Sequence, residues 1–195
     1  MTKVAVRAFD PMLAAMGRAA AAAMLAAAVL LVRGVGAPSR RALPQLMAVV
    51  VGVLVGFPVL TAYALREVPA SHGAVVTGLL PLGTAGAAVL RAGDRPSARY
   101  WACSIVGLGA VVAFAVGEGG GSLHLADGLL LAAVVAAAVG YTEGALLART
   151  MPGWQVISWA LILGAPITVG ATASLLAAGS PTSATVGEWI AFGYT

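Results

Sequence analysis

Two membrane-length apolar stretches, separated by a short basic connection, dominate this sequence at residues 70–117. The stretches read ASHGAVVTGLLPLGTAGAAVL and YWACSIVGLGAVVAFAVG, and the residues RAGDRPSAR lie between them. A helix of about 20 apolar residues spans the roughly 30 Å hydrocarbon core of a bilayer. Arginines in such a connection favour the cytoplasmic side. The sequence therefore predicts a transmembrane helical hairpin with a cytoplasmic turn and with Pro81 in the middle of its first arm.

The composition excludes a water-soluble fold. Hydrophobic residues make up 61% of the 195 residues and charged residues only 9%, whereas soluble domains carry about 25% charged residues. We therefore expect a multi-pass protein of the cell membrane, surrounded by the lipid bilayer. Basic cytoplasmic loops account for the net charge of +4, so no nucleic-acid partner is expected.

Residues suited to catalysis or to a bound cofactor are scarce. The single cysteine, Cys103, excludes an intrachain disulfide, and the two histidines, His72 and His124, lie far apart. The sequence contains no nucleophile elbow, phosphate-binding glycine loop or metal-ligand cluster. We expect no enzyme activity, no cofactor and no metal. His72 is interpreted as a polar residue at a helix start, and Asp127 and Glu118 as solvated loop acids.

Apolar stretches recur along the chain and predict an all-α, polytopic transmembrane helix bundle. Helices are expected because unpaired backbone is not tolerated in lipid and the stretches are too long for barrel strands. We expect about six complete spans and a partial seventh. They cover residues 12–32, 44–65, 70–90, 100–117, 126–148 and 154–178, and then 186 to the end.

The distribution of basic residues orients these spans. Most of them lie in the connections after the first, third and fifth spans, which places those connections in the cytoplasm and the first residue outside. They are Arg33, Arg40, Arg41, Arg91, Arg95, Arg99 and Arg149, against Lys3, Arg7 and Arg66 on the other side. Two basic residues near an outer N-terminus are unusual, and the final GEWIAFGYT is too short to complete a span. We therefore expect a fragment that is truncated at both ends.

Two spans begin alike. The first begins at Pro11 with PMLAAMGRAA, and Arg18 follows the proline two turns later. The other begins at Pro152 with PGWQVISWAL, and Trp159 lies at the matching position. By the predicted orientation these spans run in opposite directions, as in transporters built from inverted repeats.

With these features the sequence resembles the EamA-type transporters of the drug/metabolite transporter superfamily. The resemblance implies ten spans in two inverted repeats. Residues 1–117 would then be the later part of the first repeat, with four spans, and residues 126–195 the first part of the second, with two spans and a partial third. Asp94 stands where the family commonly has glutamate. The residues that carry the resemblance are Asp10, Pro11, Arg18, Pro69, Pro81, Leu82, Asp94, Arg95, Pro96, Trp101 and Gly107.

Two charged residues inside predicted spans are candidate substrate-binding groups. Arg18 lies roughly 9 Å below the outer edge of its span, where it would face a cavity or snorkel to the headgroups. The family motif has an arginine here. Glu143 lies near the cytoplasmic end of its span and would couple transport to protons if burial favoured its protonated form. The alternative for Glu143 is a helix-end acid that pairs with Arg149 or reaches water.

A second group of candidates surrounds Pro81. A proline inside a span removes a helix hydrogen bond, and a neighbour or a cavity then satisfies the freed carbonyl. With Thr77 and Gly78, Pro81 would shape a substrate site near the midplane; the alternative is a packing kink. Aromatic residues could line the same site, although aromatics near span ends also anchor at the interface. These candidates are Tyr63, Tyr141 and Trp159.

Glycine pairs at Gly52–Gly56 and Gly140–Gly144 have the GxxxG spacing that permits close helix approach. In a chain with 25 glycines, internal packing is the favoured interpretation and a homodimer is the alternative.

These features together predict a membrane secondary transporter that exports a small metabolite, an amino acid or a drug-like compound by alternating access. The small-molecule substrate would bind near the midplane between the repeats. The alternative is a non-transporting membrane component or an inactive truncated transporter fragment.

Overall fold

The computed structural model describes residues 11–118 and 125–177, and its helices are joined by short connections, the longer of which are residues 33–42, 65–69, 93–97 and 148–152. The helices are α1 (Pro11–Val32), α2 (Leu43–Val49), α3 (Phe57–Ala64), α4 (Ala70–Thr77), α5 (Leu80–Ala92), α6 (Ala98–Glu118), α7 (Leu125–Leu147) and α8 (Gly153–Ala177). A π-helical segment, Val50–Gly56, joins α2 to α3. No strand occurs in the described ranges, and the predicted all-α class is confirmed.

Five of the predicted spans coincide with helical stretches long and apolar enough to cross a membrane. The stretches are Ala15–Val32, Leu43–Ala64, Ala70–Ala92, Leu125–Leu147 and Gly153–Ala177. The predicted span 100–117 lies in α6, whose apolar stretch, Ala98–Phe114, is shorter. The predicted partial span from residue 186 lies outside the described residues. The chain is a multi-pass membrane protein with the predicted helix-bundle architecture.

The chain divides into two compact units, Pro44–Gly153 and the combination of Met1–Leu43 with Trp154–Thr195. We refer to them as the central unit and the terminal unit. The central unit contains residues from both sides of the predicted repeat boundary between residues 117 and 126. The division into two inverted repeats stays a prediction.

The terminal unit contains two long apolar helices, α1 and α8. Leu13 and Met16 are buried on α1. On α8, Val156 and Ala160 are buried, and Pro166 lies inside the helix.

In the central unit, α7 packs against the π-helical segment and against α3, α4 and α5. Its buried face consists largely of small residues, which let neighbouring backbones approach closely where lipid provides no hydrophobic driving force. Near the start of α7, a core cluster is formed by Ala64, Val76, Ala126 and Leu130.

Glycines set the closest of these contacts. A Cβ added at Gly52 would lie 2.3 Å from the carbonyl oxygen of Ala136, and one at Gly140 would lie 2.8 Å from a Val53 methyl carbon. Both positions therefore need glycine for the helices to approach as they do. Gly52 and Gly140 serve internal packing, which was the favoured interpretation of their spacing, and the homodimer stays a prediction.

The π-helical segment leads into the first turn of α3, where Pro58 is found. The Phe57 N–H donates to the Gly52 carbonyl, five residues back, so the hydrogen-bond ladder is shifted by one residue. Pro58 has no N–H to donate, so one backbone hydrogen bond of the continuous helical stretch Leu43–Ala64 is not formed there. Such π-helical turns occur frequently at functional sites.

Candidate functional site

The span that contains Pro81 is interrupted close to its middle. α4 ends at Thr77 and α5 begins at Leu80, and the intervening Gly78 N–H donates to the carbonyls of Ala74 and Val75 at 3.0 and 3.1 Å. Bonds to residue i−3 of this kind tighten the last turn of a helix. Pro81 lies in the first turn of α5, where its missing N–H leaves no helix bond unmade. The predicted candidates Thr77, Gly78 and Pro81 therefore meet at a discontinuity between two helices.

The side chain of Tyr100 reaches this discontinuity from α6. Its hydroxyl donates to the Pro81 carbonyl at 2.7 Å. Ser97 precedes α6, and its Oγ accepts from the Tyr100 N–H at 3.3 Å, as a residue that caps a helix N-terminus does. This cap places Tyr100 in the first turn of α6. Tyr100 was not predicted from the sequence; the Ser-Ala-Arg-Tyr pattern after Pro96 is the signal that could have located it.

A small cavity of about 240 Å³ lies beside the discontinuity, between the ends of α4 and α5 and the first turns of α6. We call it the inner cavity. It is mainly apolar, with Ser104 and the tyrosine hydroxyl as polar groups. Its lining residues are Gly78, Leu79, Pro81, Leu82, Tyr100, Cys103, Ser104, Gly107 and Leu108.

A larger cleft of about 470 Å³ lies between α5, the start of α6 and the end of α7. Alanines of α5 form its floor, and Tyr100 and Tyr141 contribute aromatic walls. Asp94 and Arg149 bring opposite charges to it, and the predicted candidate Tyr141 belongs to its lining. Its lining residues are Thr84, Ala85, Ala88, Ala92, Asp94, Pro96, Tyr100, Tyr141, Thr142, Ala145, Leu146 and Arg149.

The turn after α5 brings Asp94 to this cleft. Gly93 has a positive φ of 69°, a conformation that glycine adopts at no steric cost and that commonly ends helices. The Asp94 N–H then donates to the Ala88 carbonyl at 3.3 Å. From this position the Asp94 carboxylate accepts a hydrogen bond from Arg149 Nη2, also at 3.3 Å. Both side chains are about half exposed.

Glu143 forms an ion pair with Arg91, whose Nε donates to Glu143 Oε1. The Glu143 side chain is 9% exposed, whereas that of Arg91 is 63% exposed. Gln45 also interacts with the Glu143 carboxylate. The other carboxylate oxygen, Oε2, is buried without a hydrogen-bond partner within the described residues.

The alternative interpretation of Glu143, a helix-end acid that pairs with Arg149, is wrong about the partner. Arg149 follows the end of α7 and is six residues beyond Glu143, so it leaves the helix on a different side. Arg149 pairs with Asp94 instead. Glu143 pairs with Arg91, which lies at the end of α5. We call the end of the central unit that holds these two ion pairs the basic end.

A further pair lies at the opposite end of α7. His72 Nε2 lies 2.6 Å from Asp127 Oδ1, and the two side chains are 9% and 16% exposed. Asp127 is in the first turn of α7, where a carboxylate favourably meets the helix dipole. The interpretation of Asp127 as a solvated loop acid is therefore wrong, because the helix starts two residues earlier and its first turn packs against α4. We call this end the histidine end; along α7 it is about 24 Å from Glu143 at 1.5 Å per residue.

The remaining predicted candidates lie elsewhere. Tyr63 is half exposed on α3 and carries the Arg66 guanidinium 5.0 Å above its ring centroid, an arrangement typical of cation–π pairs. It belongs to neither the cleft nor the inner cavity. Arg18 and Trp159 are in the terminal unit, where Arg18 is exposed on α1 and Trp159 is half-buried on α8. Their role in substrate binding stays a prediction.

The cleft combines polar, aromatic and apolar groups. Hydroxyls and aromatic rings surround an apolar floor beside one carboxylate and one guanidinium, which suits a small molecule with polar and apolar parts. Among residues 11–118 and 125–177, no three His, Cys, Asp or Glu side chains form a group that could hold a metal ion.

Comparison with known proteins gives two matches. A model of the EamA-like transporter family matches residues 1–116. The Bacillus subtilis (strain 168) protein named Uncharacterized transporter YdeK is 46% identical over 166 residues, which make up 85% of this chain and 58% of that protein. The chain thus spans less than two thirds of the length of this curated relative. No solved structure matches the chain.

Proposed function

The chain belongs to the EamA-like transporter family, and from that premise we propose that it serves as a secondary transporter that exports a small molecule across the cell membrane. The substrate would be a small metabolite, such as an amino acid, or a drug-like compound. Transport would proceed by alternating access, in which a binding site opens first to one side of the membrane and then to the other.

The observation that carries this proposal is the cleft together with the helix discontinuity beside it. Discontinuous transmembrane helices often form transporter binding sites near the bilayer midplane. At Gly78 and Leu79 the backbone N–H groups stay hydrogen-bonded in a tighter turn, and the Pro81 carbonyl accepts a hydrogen bond from Tyr100 of α6. Here the break at Gly78 and Leu79 adjoins the inner cavity, and the cleft extends from there to the basic end. A molecule entering the cleft would therefore move along α5 toward the break.

The proposed direction follows from the arginines. The basic end carries Arg91 and Arg149, and the turn between α5 and α6 adds Arg95. Basic residues in short connections favour the cytoplasm, so the cleft would open to the cytoplasm and load an exported molecule from there. The histidine end would face outward.

Proton coupling through Glu143 is part of the proposal. Arg91 donates a hydrogen bond to Oε1 of Glu143, so a proton would bind to the other, buried carboxylate oxygen, Oε2. Glu143→Gln keeps the size of the side chain and removes its charge. If a pH gradient drives transport by this variant at the wild-type rate, coupling through Glu143 is excluded.

The proposed transport function is tested by uptake into inside-out membrane vesicles that contain the protein. A panel of labelled amino acids and cationic drug-like compounds is offered with and without a pH gradient. Gradient-dependent uptake of at least one compound, lost in vesicles without the protein, supports export. Absence of uptake across the panel, with the protein present in the membrane, counts against it.

A further inference from the structure

The basic end carries four arginines but only two acids. Both acids, Glu143 and Asp94, are already held in ion pairs with an arginine. The two remaining arginines, Arg95 and Arg99, are exposed. Within the part of the chain that the structure describes, their guanidinium groups form neither an ion pair nor a hydrogen bond. The basic end therefore has an excess of two positive charges.

The turn that carries these two arginines is held by hydrogen bonds at its end. Ser97 Oγ accepts from the Tyr100 N–H at 3.3 Å, and the Ser97 carbonyl accepts from the Trp101 N–H at 3.2 Å. At the start of the turn, Gly93 ends α5 with its positive φ. A backbone that is already ordered loses less conformational freedom when its side chains bind a ligand.

Two aromatic residues follow Arg99 directly and mark its depth in the membrane. The rings of Tyr100 and Trp101 meet edge to face, with centroids 6.2 Å apart and an angle of 87° between their planes. Tyrosine and tryptophan concentrate at the level of the lipid headgroups, and the apolar stretch Ala98–Phe114 continues from there. The first turn of α6 therefore lies close to the phosphates of the bilayer.

We propose that Arg95 and Arg99 bind the phosphate of an anionic phospholipid from the leaflet at the basic end. A guanidinium donates two parallel hydrogen bonds to phosphate oxygens and is weakly hydrated. A headgroup with a net negative charge neutralises part of the charge excess, whereas a zwitterionic headgroup brings a positive charge of its own. Neither arginine lines the cleft, so this site is separate from the proposed substrate site.

The arginine near the histidine end is arranged differently. The Arg66 guanidinium lies 5.0 Å above the ring centroid of Tyr63, and Glu67 follows it in the sequence. This end has no comparable excess of positive charge, since Asp127 adds a further acid. The charge distribution therefore favours an anionic lipid at the basic end.

Trp101 provides a reporter for lipids at this site, because bromine atoms on acyl chains quench the fluorescence of a tryptophan that they contact. Every protein in the experiment carries Trp154→Phe, Trp159→Phe and Trp189→Phe, so that the fluorescence comes from Trp101 alone. The proteins are reconstituted into phosphatidylcholine vesicles that contain brominated phosphatidylglycerol or brominated phosphatidylcholine. The ratio of the two association constants obtained from quenching is the lipid preference.

The wild-type arginines should give a preference for phosphatidylglycerol of up to about thirtyfold, which corresponds to about 1 kcal/mol for each arginine. Arg95→Gln/Arg99→Gln should bring the ratio close to one, and each single variant should lose about fivefold. Arg95→Lys/Arg99→Lys keeps the charge and should retain most of the preference. Arg40→Gln/Arg41→Gln is the matched control: it removes the same charge from the connection after α1 and should leave the preference at Trp101 unchanged.

Three results would overturn the lipid site. They are a wild-type ratio close to one, an unchanged ratio in both single variants and in Arg95→Gln/Arg99→Gln, and an equal loss in the control. The single variants and the lysine variant decide the question if the double glutamine variant does not fold. Displacement of brominated phosphatidylglycerol by inorganic phosphate, but not by chloride at the same ionic strength, would identify a soluble phosphate as the ligand and overturn the lipid. Transport plays no part in this readout, so the lipid site and the transport function are tested independently.

Discussion

Gly52 and Gly140 touch across two neighbouring spans: a Cβ on Gly52 would lie 3.1 Å from the Cα of Gly140. The contact lies between the π-helical segment and α7. On its other side, a Cβ added at Gly140 would lie 3.2 Å from the Ala48 carbonyl oxygen. Backbone meets backbone here, so no side chain can move aside to admit a larger residue.

We therefore expect Gly52→Ala to lower stability by about 1–3 kcal/mol, the usual cost of overpacking. The measurement is thermal unfolding of the protein in detergent. Gly86→Ala is the matched control, because a Cβ at Gly86 meets nothing within 4 Å and alanine favours the helix by about 1 kcal/mol. Equal stability of the two variants would contradict the role of the glycine contact.

The Arg91–Glu143 pair should show strong coupling in a double-mutant cycle. Removal of Arg91 alone leaves a buried carboxylate without its counter-charge, which is costlier than removal of both charges. We expect Arg91→Gln to be more destabilising than the double variant Arg91→Gln/Glu143→Gln, with a coupling energy of about 1–3 kcal/mol. Thermal unfolding of the four proteins measures it. Additive effects of the two substitutions would count against the pair.

Asp127 and Asp94, which each form an ion pair, should contribute differently to the stability of the protein. Asp127 faces His72 in a largely buried pair, whereas Asp94 faces Arg149 in a half-exposed one. Asp127→Ala should cost about 1–3 kcal/mol through the unsatisfied buried partner. Asp94→Ala should cost no more than about 1 kcal/mol, as for other exposed ion pairs. Thermal unfolding in detergent compares the stabilities of the two variants. A larger loss of stability for Asp94→Ala than for Asp127→Ala would contradict the greater importance of the buried His72–Asp127 pair.

Tyr141 should affect substrate binding if the cleft binds the transported molecule. Loss of an aromatic wall removes about 1 kcal/mol of contact energy, so Tyr141→Ala should raise KM roughly five- to tenfold. The maximal rate should change less. Tyr63→Ala, at an equally exposed tyrosine outside the cleft, is the control. The readout is the concentration dependence of vesicle uptake, and equal KM values for both variants would exclude Tyr141 from the site.

Five of the six complete spans could be predicted from local patterns and coincide with membrane-length helices. Apolar length predicts a spanning helix directly, and Pro81 preceded by Gly78 indicates a break because neither residue supports a helix interior. Family membership also followed from short motifs around these residues.

Side-chain partners could not be predicted in the same way. Arg91 and Glu143 are 52 positions apart, and their pairing depends on which helices become neighbours and on the rotation of each about its axis. For Asp127, the error was local: the first turn of α7 begins just before it, and a glycine-rich stretch upstream suggested a loop. Tyr100 could not be predicted because its hydrogen bond to the Pro81 carbonyl joins two helices across 19 positions of sequence.

The ion pairs at the two ends of α7 have a consequence for α6. His72 and Asp127 meet at one end, and Arg91 and Glu143 meet at the other, so the span Ala70–Ala92 and α7 run in the same direction. The chain leaves α5 at the basic end and must return to the histidine end before α7 can start. α6, at 21 residues, is about 31 Å long, which is one bilayer core. Although its apolar stretch is shorter than those of the other spans, the direction of its neighbours requires α6 to cross the membrane.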